Sequence, residues 1–412
     1  MRRESELGWV ASALVVLAAC REVPAPVAPD SARPAASPGE HRAAAPNAPS
    51  AKPTPAPAVS TADAPPLPAP PLGTPAAETN TTEVAGHPEW GKRIDMVGQA
   101  MGTRVTIAVY VDAGHDEASV KQAIEAAFGE VVRLERLMTP WRDDSELSKV
   151  NAQAGKGPVK VGPEMLEVID KSQWVAGRSE GVFDVTFASM GKLWRFNHDM
   201  DGKIPAAFEI AAARKRIDYR RVKVDHGHGT IFVEGPDQKI DFGGIAKGYA
   251  VDRAAKILHQ AGLRAYFVQA GGDLFVEGRK PDGSPWRVGV RDPRGPEGSF
   301  FARIPIENHA FSTAGDYERS FIKDGKRYHH ILDPRTGYPA TATRSVTVWA
   351  KDAFTADAID DAIFILGAEK GLALVESIED CGAVIVDANN KVWVSKRLEP
   401  LLETFRAPTD GL

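Results

Sequence analysis

Between Glu22 and Ala85 the chain is dominated by proline and alanine and has almost no large apolar side chain. Such a stretch cannot bury enough surface to offset its chain entropy, so it builds no core. Its prolines favour extended, polyproline-like backbone, and residues 20–85 are expected to act as a semi-rigid spacer. A compact fold must therefore come from the ordinary globular sequence that follows, about residues 86–408 of the 412.

Ahead of the spacer, Arg2 and Arg3 precede an apolar run from Trp9 to Leu17, which ends in Leu17-Ala18-Ala19-Cys20. That run is too short for a lasting membrane span and reads as a secretory signal over residues 1–19. A cysteine directly after Leu-Ala-Ala resembles a bacterial lipoprotein signal, with Cys20 as the lipidated first residue. The expectation is an exported protein, lipid-anchored to a bacterial membrane and facing the periplasm. Arg21 rather than Asp follows the cysteine, which slightly favours the outer membrane. Cys381 is the only other cysteine, so a disulfide framework or a zinc cluster is excluded. With a formal net charge of −5 and no sustained basic run, nucleic acid is not an expected partner.

Within the globular part, Ala100–Val111 alternates like a strand and His115–Leu137 has helical spacing. Pro163 opens a helix through Trp174, and another is expected near Ala206–Lys215. Strand-like runs follow at Val222–Asp225, Thr230–Glu234, Ile240–Phe242, Tyr266–Ala270, Leu274–Glu277, Trp286–Val290, Ala302–Ile306, Phe311–Thr313 and Ser345–Ala350. Tyr328–Pro339 is rich in turn formers, Ala356–Gly367 reads as a helix, and a hairpin turns at Asn389-Asn390. Strands outnumber helices and often follow one another. The expected class is α+β, with mainly antiparallel or mixed sheets flanked by helices.

Lys239–Ile257, KIDFGGIAKGYAVDRAAKI, passes from a strand end through Gly243-Gly244 into a helix, with Asp241 before the glycines and Lys247 after them. Free N–H groups, a helix N-terminus and a lysine at one spot suit an anion, most plausibly a phosphate. The segment lacks the spacing of a P-loop or of a dinucleotide fingerprint. Further on, Asp357 and Asp361 stand four apart on a predicted helix, so their carboxylates share a face. Like charges there repel unless a cation lies between them, and hard oxygen ligands suit Mg²⁺. The run Ala362–Leu366 argues that this helix is buried rather than solvated. A histidine at His329-His330, on a turn-rich loop, can serve as a general base or can simply cap the loop. His226-Gly227-His228-Gly229 reads as a strand connection rather than a metal site.

Taken together, Met101-Gly102-Thr103, the Met138–Asn151 segment, GVFDVT, DFGGIAKGYAVD, AGGDL, STAGDY, HHILDPRTGYP and ADAIDDAIFILG resemble the FAD:protein FMN transferases (ApbE-type). The resemblance runs from Met101 to about Glu376. It implies an enzyme that uses FAD and Mg²⁺ to place FMN on a threonine or serine of an acceptor protein as a phosphoester, releasing AMP. Acceptors would be subunits of membrane redox complexes. By position, Met101, Trp141, Val182, Phe183, Asp184, Asp241, Lys247 and Ile331 would contact FAD. Gly244 (through its carbonyl), Asp357 and Asp361 would hold the metal, and His330 would be the base. Asp361 stands where the family usually has Thr, which bears on metal preference, with Mn²⁺ as the alternative ion. Two alternatives stay open: a metal-dependent FAD pyrophosphatase and a non-catalytic flavin-binding lipoprotein.

Overall fold

The computed structural model describes residues 77–83, 92–191, 193–197 and 199–412. The signal segment, Cys20 and most of the spacer lie outside the described residues.

Period-two alternation builds the central sheet. Val105, Ile107 and Val109 turn to one face, where Tyr266, Val268 and Ala270 of a neighbouring strand join them in the main core. Ala108, Phe267, Leu274, Val276, Phe311 and Trp349 turn the other way into a second core. Nine strands make this sheet: Glu78–Glu83, Lys92–Ala100, Thr103–Val111, Tyr266–Ala270, Asp273–Glu277, His309–Gly315, Thr343–Ala350, Gly382–Asp387 and Val392–Val394. They lie side by side in chain order, each antiparallel to the next. Helices Glu117–Met138, Ala246–Gln260 and Ala353–Leu366 cover the first face. A small antiparallel sheet of Trp286–Arg291, Phe300–Ile306 and Glu403–Thr404 covers the second. The class is α+β as expected, and the central sheet is antiparallel throughout rather than mixed.

Three expectations change. Glu78–Glu83 lies within the stretch read as spacer, yet it pairs along Lys92–Val97. It is a polar, exposed edge strand with no apolar face to announce it. Ala100–Val111 is not continuous, because Met101 and Gly102 are the turn of a hairpin with positive φ (53° and 69°). Ile240–Phe242 joins no ladder. Its partner is a side chain, since the Asn151 amide accepts from Ile240 N at 2.8 Å and donates to Ile240 O at 2.9 Å.

The helix Ala353–Leu366 is apolar nearly all round and therefore buried, as its sequence predicted. Asp352 caps it by accepting from Thr355 N at 2.6 Å. Asp252, on the helix Ala246–Gln260, accepts from Ala353 N (2.9 Å) and Phe354 N (2.8 Å), which fixes one helix to the start of the other. The two approach so closely that a Cβ on Gly248 would stand 2.2 Å from Ala353 O. Gly248→Ala should therefore force the helices apart and lower stability by about 1–3 kcal/mol, the usual range for overpacking. Urea denaturation measures this, and an unchanged midpoint would contradict the close approach.

Candidate active site

That contact sets Lys247, in the first turn of its helix, against the acidic face of the next. The Lys247 ammonium stands 3.0 Å from Asp357 Oδ1 and 3.1 Å from Asp273 Oδ2. The other Asp357 oxygen accepts from Gly248 N at 2.8 Å. Burial opposes charge on Lys247, but Asp273, Asp357 and Asp360 outweigh it and hold the ammonium protonated. Asp273 follows the Gly271-Gly272 turn and was not singled out from sequence, nor was Ser312. The Ser312 hydroxyl lies 2.6 Å from both Asp273 Oδ1 and Asp360 Oδ2. One hydroxyl proton cannot serve two carboxylates, so their close approach calls for a further proton or a cation between them. The electrostatics agree: burial, with Asp361 and Asp357 adding, raises Asp360 well above the carboxylate range. Burial and Asp357 push Asp273 up to about 7 against the pull of Lys247.

At the Gly243-Gly244 turn, where an anion is expected, several N–H groups have partners within the chain. Gly243 N–H donates to Asp241 Oδ1 at 2.7 Å, and Ile245 and Ala246 N–H donate to Phe242 O. With Gly248 N–H on Asp357, carboxylates and a carbonyl meet this helix start, and Lys247 turns towards acids. The chemistry there is that of a cation site.

The residues present fit a divalent ion. All donors are hard oxygens. Asp273, Asp357 and Asp360, all buried, each offer a carboxylate oxygen within 4.8 Å of the others. Asp273 Oδ2 is buried and has the Lys247 ammonium 3.1 Å away. Asp361 Oδ2 lies 2.9 Å from where a Cβ on Gly244 would stand, so the missing side chain makes room for this carboxylate. Burial pushes Asp361 up to about 7, with Lys247 opposing and Asp357 adding. Of the residues expected to hold the metal, Asp361 lies beside Gly244, and Asp357 groups with Asp273 and Asp360.

His330 leaves the hairpin of Ser320–Lys323 and Lys326–His329. Its Nδ1 faces Glu318 O at 3.3 Å, so Nδ1 carries the proton and Nε2 keeps a free lone pair. Burial, then the charge of Arg319 and the neighbouring His329, pushes His330 down to about 3. The imidazole is neutral at ordinary pH. His329 is a different residue in kind. It is fully buried, with Nε2 donating to Ala340 O at 2.8 Å and its ring edge-on to Phe364. Below pH 6.5 the unfolded chain protonates His330 while the folded chain does not until about pH 3, so this residue costs stability as pH falls between those values. His330→Ala should move the acid-unfolding midpoint to lower pH, read by circular dichroism. A midpoint moving upward would contradict the partly buried, neutral ring.

Among the other residues expected to contact FAD, Trp141 sits on the loop after Glu117–Met138 and is 57% exposed. Met101 occupies the hairpin turn and Asp241 the segment before the glycines. The ring of Phe183 lies 3.4 Å from the Cβ position of Gly244, whereas Val182 and Ile331 are packed in the core. Asp184 has no free oxygen to offer. It accepts from Thr186 N and Oγ1 and from Tyr219 N, capping the turn Val185–Met190. His226 and His228 lie on the exposed connection between two strands, with His228 Nδ1 2.7 Å from Asp225. A residue missed from sequence is Arg319, at a positive φ of 39°. Its Nη1 donates to Asn197 Oδ1 at 3.2 Å and its Nη2 lies 3.9 Å from the Cβ position of Gly102. Its charge acts on both His330 and Asp241. Only the left-handed backbone at an ordinary residue, invisible in sequence, brings it there.

Comparison with known proteins agrees with this geometry. Residues 101–385 match the ApbE family. An FAD:protein FMN transferase of Klebsiella pneumoniae is 32% identical over 74% of this chain and 88% of its own length. One from Treponema pallidum is also 32% identical, over 72% and 84%. Among solved structures, the ApbE protein of Thermotoga maritima superposes with a TM-score of 0.67 at 33% identity, covering 74% of this chain and 98% of that one. The flavin transferase ApbE of Vibrio cholerae gives 0.67 at 29% identity, covering 75% and 99%. The fold, the acidic helix packed on the lysine helix and the family match place this chain in the ApbE family.

Proposed function

We propose that the protein transfers the FMN part of FAD to a threonine or serine hydroxyl of an acceptor protein. The observation that carries this is a buried carboxylate cluster around Lys247, whose charge also acts on His330, a neutral histidine with no Nε2 partner among the described residues. The hydroxyl oxygen attacks the FMN-side phosphorus of the pyrophosphate, forming a P–O bond as the bond to the AMP oxygen breaks. The hydroxyl proton passes to His330 Nε2, and AMP leaves with its electron pair. A threonine hydroxyl is almost fully protonated at neutral pH, so a base in reach is needed for transfer but not for FAD binding. FAD brings two phosphate charges towards His330, which raises its proton affinity above that of the empty site. Gly244, Asp357 and Asp361, with Asp273 and Asp360 beside them, would hold Mg²⁺, which when bound offsets charge on the phosphate oxygens. Lys247 supplies a second positive charge at the same place. Trp141 offers an exposed aromatic face for stacking.

Incubation with FAD and Mg²⁺, with and without acceptor protein, tests the reading by product. Flavin ester on the acceptor with free AMP supports it. Free FMN and AMP alone make water the nucleophile, and unchanged FAD leaves only binding.

Export and lipid anchoring belong to the same proposal, supported by Leu17-Ala18-Ala19-Cys20 and the Pro/Ala spacer. The enzyme would then meet acceptor subunits of membrane redox complexes on the periplasmic side. Cys20→Ser should release the mature protein to the soluble periplasmic fraction or leave an uncleaved precursor. Fractionation and maturation identical to the parent would remove Cys20 as the anchor.

A further inference from the structure

The hairpin leading into His330 stands apart from the central sheet. Ser320–Lys323 and Lys326–His329 pair only with each other, so among the described residues both outer edges carry no further strand. One face is fixed: Phe321 stacks on Tyr328 (5.3 Å), and these rings pack on Phe196 and Trp194 (5.9 Å each). The turn Asp324-Gly325 has positive φ at both residues (51° and 69°), the primed geometry of a tight hairpin. The hairpin is therefore a rigid, exposed arm rather than a loose loop.

Arg327 serves the hairpin itself, its Nη1 donating to Ser320 Oγ at 3.0 Å, but the two lysines next to the turn oppose each other. Lys323 stands directly opposite Lys326 in the register, and like charges so placed are destabilising. Both are exposed. Lys326 lies over the Tyr328 ring at 5.4 Å, and among the described residues Lys323 has no ion pair. Residues 318–329 carry four basic side chains against two acidic ones, in a chain whose net charge is −5. Beside this pair, Ile322 is 54% exposed. A strand edge with no further strand among the described residues, two exposed lysines without a carboxylate partner there and an exposed aliphatic side chain together suit an extended, acidic polypeptide that adds to the edge.

We propose that the hairpin Ser320–His329 is the docking edge for the acceptor, whose extended segment lies along it with acidic residues at Lys323 and Lys326 and its hydroxyl residue at His330. This rests on the transfer reading above. Lys326 precedes His330 by four residues, roughly 13 Å of strand at about 3.3 Å per residue, so the acidic residues fall about three to five positions from the modified threonine.

The test uses the full enzyme with FAD, Mg²⁺ and three synthetic peptides of about thirteen residues. Each has one central threonine, with two aspartates, two lysines or two alanines about four positions away on either side. Mass spectrometry reads the gain of FMN. The parent should label the aspartate peptide about tenfold more efficiently than the lysine peptide, a preference that shrinks as salt rises. The double variant Lys323→Glu, Lys326→Glu should reverse that order while binding FAD as the parent does. Equal labelling of all three peptides by the parent, or an unchanged order in the variant, would overturn the docking edge and leave the transfer reading standing. A parent that consumes FAD but labels no peptide and no protein acceptor would overturn the transfer reading itself, and the docking edge with it.

Discussion

Replacing His330 with alanine should leave FAD binding intact and lower the rate of FMN transfer by about 10²–10⁴-fold, the usual contribution of a positioned general base. The expectation rests on geometry before charge. Glu318 O holds Nδ1–H, the ring is partly buried, and Nε2 is left as the acceptor. The neighbouring His329 cannot substitute, because its ring is buried and bonded to Ala340 O. Flavin fluorescence on the acceptor after denaturing electrophoresis measures transfer, beside a separate FAD titration. Near-normal labelling would remove His330 from the mechanism. Loss of FAD binding would make it a substrate contact instead.

Asp357→Ala should raise the Mg²⁺ concentration needed for half-maximal activity at least about tenfold, since losing a charged ligand costs upwards of ~1.4 kcal/mol. Both oxygens of Asp357 are engaged, one facing Lys247 and the other accepting from Gly248 N–H. Its loss therefore also leaves the Gly248 amide without a partner and Lys247 with Asp273 as its remaining carboxylate, and the thermal unfolding temperature should fall in parallel. Asp361→Thr should retain activity, because Asp361 lies at the open side of the cluster against Gly244, while its preference between Mg²⁺ and Mn²⁺ shifts. An unchanged Mg²⁺ titration in Asp357→Ala would remove the proposed metal site.

Much of this site was legible because it is local in sequence. Asp357 and Asp361 declare a shared helix face by their spacing, and the apolar run after them declares that the helix is buried. Gly248 and Asp252 sit within the motif around Lys247, but their work is to bring two helices together, which no single stretch of sequence states. Asp273 and Ser312 were missed because they reach the cluster through the order of strands in the sheet. Arg319 was missed because its backbone turns against the usual preference for a non-glycine residue. The false strand at Ile240–Phe242 shows a different limit. Extended backbone has the same sequence signature whether a strand or, as here, the Asn151 amide completes its hydrogen bonds. The helix start at Gly243-Gly244 shows a related limit. A helix N-terminus attracts negative charge, and Asp241 and Asp357 of the same chain already supply it.

The most direct test of the transferase reading is stoichiometry. Purified enzyme, FAD and Mg²⁺ are added to a membrane extract that contains candidate acceptors, and both AMP and protein-bound flavin are counted over time. One AMP should be released for each flavin ester formed on threonine or serine, with both falling together in His330→Ala. AMP released alongside free FMN, with no flavin on protein, would contradict it.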